Sequence, residues 1–436
     1  MRVLIVSNLF PPVVFGGYEI LCAQVVDRLR ARGYHVDVIT SDFRAGQVRA
    51  DPQVERSLRL TTDFPLPGEE VARVDFRLGS IQAVAERNRR LLLRRLQEHR
   101  YDLVFCWCMN RLSLGPMHAA REMAVPVCYT VNDEHPRQFR TTPEPRGLRA
   151  RLRGLAESTI WPLATFKNLD GVPTAIISRA LKLSLLDQGT PLDHAEVIHQ
   201  GIPLDRFPHR PTVRRPSESL RLLYVGQLSR LKGVHTLIRA ASRLQERGRG
   251  NFSLTIVGSG VPDYERELRR LVREGGVGQR VEFAGRRPHA EVAEAYRSHH
   301  VLVFPTEGFE GFGLTHMEAM ASGCAVVSTL NGGSGELIRH GQNALSYEAG
   351  DDRELADRIE LLADHEDLRR RLGLAGRAWV EQRHDLEGYV SSLEDFMARA
   401  TGGQASGIVL RGSRRCFGSG ATRGLTVEPV VGTLRV

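Results

Sequence analysis

The chain has few cysteines, six in 436 residues, at positions 22, 106, 108, 128, 324 and 416. Most fall inside apolar strand or helix patterns, which argues against a disulfide framework and for buried free thiols in a reducing compartment. Cys106-x-Cys108 is at most half of a metal site because no partner pair is evident, and no Asp-x-Asp metal-binding motif occurs. No apolar run approaches the ~18 residues that a bilayer span needs. The opening MRVLIVSN reads as a strand rather than a signal peptide. A cytoplasmic protein is expected, at most peripheral on the inner face of a membrane. The balance of 60 Lys+Arg against 51 Asp+Glu gives +9, which suits an anionic ligand or a membrane surface. The basic residues are spread along the chain, with neither zinc-finger spacing nor an aromatic RNA-binding signature, so nucleic acid is not an expected partner.

The most informative stretch is Val301 to Thr329, VLVFPTEGFEGFGLTHMEAMASGCAVVST. An apolar run, Val301 to Phe304, reads as a buried strand ending at Pro305. A loop follows with glycines at 308, 311 and 313, and then Leu314 to Ser322 carries Leu314, Met317 and Ala321 at helical spacing. Gly323 ends the helix and Cys324 to Ser328 is the next strand. Strand, glycine loop, helix and strand make a parallel βαβ unit, with the loop at the carboxyl end of the sheet, where such proteins bind ligands. Bare glycines let backbone N–H groups approach a phosphate at a helix N-terminus, and Glu310 and Glu318 suit sugar hydroxyls. By themselves, two Glu eight positions apart also occur as surface charges.

PTEGFEGFGLTHMEAMASGCAVV closely resembles the E-x7-E signature of retaining GT-B glycosyltransferases, particularly family 4. Further resemblances cover roughly residues 1 to 400. GGYEILCAQ is similar to the family's GG-x-E opening, placing Gly16 and Gly17 against a phosphate or acceptor. Gly226 to Gly233, GQLSRLKG, resembles G-R-L-x-x-x-K-G; Lys232 matches, Gln227 replaces the Arg, and Arg230 is the nearby cation that can supply its charge. After the strand at Val125 to Val131, the family's His is replaced by Asn132. Asn hydrogen-bonds but does not titrate, so an acid/base role would pass to Asp133 or His135. EVIHQGIPLDRF resembles the segment that ends the first domain, with Gln200 in place of Asn.

The rest of the pattern is an α/β alternation that restarts after a Pro-, Arg- and Ser-rich stretch. The resemblance to the GT-B fold agrees: two Rossmann-like domains facing an interdomain cleft, an acceptor-binding domain over 1–207, a hinge over 208–219 and a donor-binding domain over 220–385. A helix over 386–400 would cross back onto the first domain, and 401–436 reads as a disordered tail. Residues 42–76 are polar and have no assigned element. The helix over 80–99 carries arginines at 87, 89, 90, 94 and 95, which suit anionic lipid or a solvated outer face. Arg146, Arg149, Arg151 and Arg153, followed by Trp161 and Phe166, fit a membrane contact, a charged acceptor or a packed insertion.

The resemblance implies a retaining transferase that takes a sugar from a nucleoside-diphosphate sugar to a hydroxyl of a glycan, lipid or small molecule, with neither metal nor cofactor. Lys232, Arg230 and the N–H groups of Gly311, Phe312, Gly313 and Leu314 would take the phosphate charge, Glu310 the sugar hydroxyls and Glu318 the ribose. Asn132, Asp133 and His135 would stand near the reacting centre. A rival enzyme of the same fold is a nucleotide-sugar epimerase, which the E-x7-E context disfavours. A nucleotide-sugar-binding scaffold without turnover is the alternative from another class.

Overall fold

The computed structural model describes residues 1–63, 78–139, 152, 155–156, 159–166, 169–209 and 218–402. In the N-terminal half, strands β1 (Arg2–Ser7), β2 (His35–Ser41), β3 (Val54–Leu58), β4 (Leu103–Cys108), β5 (Val127–Val131), β6 (Thr174–Ile176) and β7 (Glu196–Val197) form one sheet in the order 3-2-1-4-5-6-7. Every pairing is parallel. Helices α1 (Gly17–Ala31), α2 (Leu78–Glu98), α3 (Gly115–Glu122) and α4 (Arg179–Asp187) supply crossovers. The sequence explains the central strand directly. RVLIVS is apolar on both faces, and from Val3 on it is buried, as a strand covered by helices on both sides must be.

The C-terminal half repeats the plan. Strands β8 (Leu220–Val225), β9 (Phe252–Val257), β10 (Val281–Gly285), β11 (Val301–Phe304), β12 (Ala325–Ser328) and β13 (Leu345–Ser346) run in the order 10-9-8-11-12-13. Around them pack α5 (Val234–Glu246), α6 (Pro262–Glu274), α7 (His289–Ser298), α8 (Leu314–Ala321), α9 (Asp352–Asp364) and α10 (Glu366–Arg383). Strand order reverses direction between β1 and β4 and again between β8 and β11. At such switch points adjacent loops diverge and leave a crevice at the carboxyl ends of the strands.

The chain closes with α11 (Leu386–Ala400), which packs on the N-terminal sheet. Its Val390, Leu393, Phe396 and Met397 are buried with Val3, Ile5 and Phe105. Each such side chain contributes about 1.5–3 kcal/mol as an upper figure. Arg28 on α1 and Arg32 at its C-cap pair with Glu387 on α11, and Arg32 also meets Glu394, which fixes the helix along its polar edge.

Strand β3 and helix α3 are among the elements absent from the expectations above. Strand β3 lies in the segment left unassigned. Its VERSL pattern is polar because it is an edge strand, hydrogen-bonded on one side only, to β2. Helix α3 begins Gly-Pro and spans eight residues, too short to show a helical period. On α2, Arg87, Arg90 and Arg94 are exposed. Arg89 and Arg90 both bind Glu86, holding that carboxyl down at about 2, while Arg95 pairs with Asp37 and Glu55, so this face is solvated and internally paired. Residues 210–217 of the expected hinge, Arg146, Arg149, Arg151, Arg153 and the tail from 403 lie outside the described residues. Among the described residues, no helix is long and apolar enough to cross a membrane.

Candidate active site

A cleft of about 1010 Å³ lies between the halves and is lined by loops that leave both switch points. Its C-terminal wall is built from the loops after β8, β9, β10 and β11 and from the start of α8. Its N-terminal wall comes from the β1–α1, β2–β3 and β4–α3 loops and from Asp133.

Lys232 and Glu310 meet on the C-terminal wall. The Lys232 Nζ donates to Glu310 Oε2 at 2.7 Å and stands 5.3 Å from the centre of the Phe304 ring. Gly233 makes the meeting possible. It is left-handed (φ +65°), and a Cβ there would sit 1.8 Å from the Pro305 carbonyl oxygen, so no other residue lets the lysine loop seat against the end of β11. Glu318, one turn into α8, accepts from His289 Nε2 and from the Tyr296 hydroxyl, each at 3.0 Å. The hydrogen bond to Glu318 raises the His289 pKa against the opposing effect of burial.

Across the cleft, α1 starts at Gly17. The Gly16 N–H donates to Glu19 Oε2 at 2.8 Å, and burial raises the Glu19 pKa. A Cβ on Gly17 would lie 2.8 Å from Leu314 Cδ1, so the starts of α1 and α8 approach each other as bare backbone permits. Gly313 and Leu314 line the cleft as expected, whereas Gly311 and Phe312 sit behind its wall. The Gly311 carbonyl accepts from Ser178 Oγ at 2.7 Å, and Phe312 is buried, stacked on His199 with ring centres 4.8 Å apart. His199 also bonds Glu336 Oε2 at 2.9 Å, and Glu336 Oε1 accepts from the Ala180 N–H at 2.8 Å. These contacts join the two halves directly.

Three further expected site residues take other positions. Asn132 is fully buried and does not line the cleft. Its Nδ2 donates to the Trp107 carbonyl at 2.9 Å and its Oδ1 accepts from Gln200 Nε2 at 3.2 Å. Both polar ends are therefore taken up by the protein, and the residue is structural. Two of the departures noted above, Asn132 and Gln200, are hydrogen-bonded to each other. His135 stands behind Asp133, between its carboxylate and the Tyr129 hydroxyl, the latter at 2.6 Å. Only Asp133 faces the cleft. Burial pushes its pKa up, but the His135 charge and hydrogen bonds prevail and hold it below the usual value. Arg230 is exposed, bonds Glu267 and does not line the cleft. Arg286 and Arg287 do line it, with Arg286 Nη2 reaching the Val14 carbonyl of the other half at 3.3 Å. Sequence reasoning missed them, although their position straight after β10 and Gly285 is the same loop signal that marked Lys232.

Two family models match in succession: Glycosyltransferase Family 4 over residues 15–206 and Glycosyl transferases group 1 over 205–379. The chain is similar to an uncharacterized glycosyltransferase of Methanocaldococcus jannaschii, 26% identical over 79% of this chain and 84% of that one. It is likewise similar to the D-inositol 3-phosphate glycosyltransferase of an Arthrobacter species, 27% identical over 88% of this chain and 91% of that one. Among solved structures, sucrose-phosphate synthase of Thermosynechococcus elongatus superposes with a TM-score of 0.70 at 22% identity, covering 92% of this chain and 99% of that one. Anabaena HepE, crystallised with UDP and glucose, gives 0.66 at 18%, covering 92% and 100%. Residues 15–379 thus match the two glycosyltransferase domain models in succession, one on each half, and the chain has the GT-B fold of those solved structures.

Proposed function

We propose that the protein is a retaining, metal-independent glycosyltransferase that moves a sugar from a nucleoside-diphosphate donor to a hydroxyl acceptor. The observation that carries this reading is the Lys232–Glu310 contact, a cation and a carboxylate 2.7 Å apart at the head of α8. An ammonium has three donors, so Lys232 holds Glu310 with one and offers the others to a leaving diphosphate. The N-terminus of α8 and Arg286 add positive potential on the same wall. Glu310 then stands where sugar hydroxyls arrive, and Glu318, already positioned by His289 and Tyr296, receives the ribose. In the step itself the anomeric C–O bond to the diphosphate breaks, the acceptor oxygen bonds to the same face, and the acceptor proton leaves with a phosphate oxygen. Asp133 orients the acceptor hydroxyl. Closure of the halves excludes water and limits hydrolysis. HepE was crystallised with UDP and glucose, which supports the donor class.

The test is a thermal-shift panel of UDP-, GDP-, ADP- and dTDP-sugars on the wild type and Glu318→Ala, with nucleotide release followed on any hit. One donor class is expected to stabilise the wild type, lose affinity in the variant and be slowly hydrolysed. Binding without release would make the protein a nucleotide-sugar scaffold, and no shift with any donor would remove the reading.

A further inference from the structure

The charges lining the cleft are unequally placed. The carboxylates are each engaged: Glu310 by Lys232, Glu318 by His289, Asp133 by His135, and Glu19 by the Gly16 N–H. The cations of the C-terminal wall, Lys232, Arg286 and Arg287, stand where a donor diphosphate is expected. Two further arginines line the opposite wall: Arg44 from the β2–β3 loop and Arg111 from the β4–α3 loop. They belong to the half that does not hold the donor.

The two differ in setting. Arg111 is only 6% exposed, its guanidinium donates to the Asp63 carbonyl, and burial lowers its pKa, so the protein keeps a costly cation in this wall. Arg44 is exposed at the rim, in a left-handed turn (φ 57°), and has no carboxylate within ion-pair distance among the described residues. Both Arg44 and Arg111 depart from the backbone region that side chains prefer (φ 57° and 61°), a local cost carried by the two residues that aim basic groups at this wall. Asn110 and Asp133 line the same wall and suit a hydroxyl. Asp133 opposes an anion, but its carboxylate is engaged by His135, and that of Glu19 by the Gly16 N–H.

We propose that Arg44 and Arg111 form an anion subsite on the N-terminal wall, and that the acceptor carries a phosphate or carboxylate close to its reacting hydroxyl. This rests on the donor reading above, which places the diphosphate on the other wall. Guanidinium groups bind both anions through paired N–H donors, so the chemistry is shared and the source is distinguished by experiment.

The experiment is calorimetric titration of glucose, glucose 6-phosphate and glucuronate into the full chain, with and without the nucleoside diphosphate that stabilises it best. Tighter binding of an anionic probe than of glucose by at least about tenfold is expected, as one charge-assisted contact is worth. Arg44→Gln should weaken that probe about tenfold while nucleotide affinity is unchanged, and Arg286→Gln should do the reverse. The phosphate or the carboxylate arm binding more tightly identifies which anion is carried. Arg111→Lys, compared with Arg111→Gln for fold by circular dichroism, separates the loss of the paired donors from the loss of the buried cation. Equal binding of glucose and its anionic counterparts, anion binding that survives Arg44→Gln and Arg111→Lys, or no anion binding up to about 10 mM would each overturn the proposal. Failure of the nucleotide to bind, with the anion subsite intact, would overturn the donor reading instead.

Discussion

The two walls of the cleft are held together by different physics. On the C-terminal wall, charged groups face the cavity and are paired with each other: Lys232 with Glu310, and Glu318 with His289. On the N-terminal wall, two carboxylates, Asp133 and Glu19, line the cavity, and a hydrogen-bonded network of Asn132, His135 and Tyr129 lies behind it, with Gln200 reaching from the wall to Asn132. The first arrangement stores its function in groups that a ligand can re-pair. The second also rests on side chains set back from the cavity, Asn132, His135 and Tyr129, where substitution acts on stability first. The pairs of the C-terminal wall should fail in turnover, while the buried network behind the N-terminal wall should fail in folding.

The largest expected effect separates the walls. Lys232→Ala and Glu310→Gln should each lower donor turnover by about 10²–10³-fold with little change in melting temperature, since both side chains remain partly open to solvent. Nucleotide release and thermal denaturation measured together check this. A large fall in stability with turnover intact would erase the distinction.

A smaller effect is expected behind the N-terminal wall. Asn132→His, which installs the family's usual residue, forces a larger ring into a fully buried site and breaks the bonds to Trp107 and Gln200, costing about 1–3 kcal/mol. Adding Gln200→Asn should recover part of that cost. A double-mutant cycle by denaturant unfolding should give a coupling above about 0.5 kcal/mol, because the two side chains touch. Strict additivity would mean that the two departures are independent.

The smallest effect concerns the seam between the halves. Burial pushes the Glu336 carboxyl up, but the bonds from His199 and the Ala180 N–H outweigh it, leaving the folded pKa below the ordinary 4.5. A depressed acid stabilises above its unfolded pKa and loses that contribution as pH falls through the folded value. Glu336→Gln should therefore cost about 1 kcal/mol at pH 7, and the gap to wild type should close below about pH 4.5. A gap that widened in acid would reverse the sign of the linkage.

The repeated βαβ pattern, the break between the halves and the glycine loop at 308–313 were legible because a strand, a tight loop and a helix follow one another within thirty residues. Lys232, Glu310, Glu318, Gly17 and Leu314 could be named for the same reason, since each lies beside a strand end or helix start. Strand β3 and helix α3 were not, because an edge strand needs no apolar alternation and eight residues carry too little period. Asn132 shows the complementary failure. The chain places it correctly at the end of β5, but one position further on points the other way along an extended backbone, so Asp133 reaches the cleft and Asn132 the core.

From sequence alone, then, came the parallel α/β architecture in two halves and the motif residues of the C-terminal wall, since local periodicity and glycine geometry are written in contiguous residues. Only the tertiary structure decided that Arg230 is spent on Glu267 while Arg286 faces the cleft, that Asn132 and Gln200 complete each other, and that Arg44 and Arg111 share a wall. Those facts join positions tens of residues apart, and what brings them together is the packing of one loop against another.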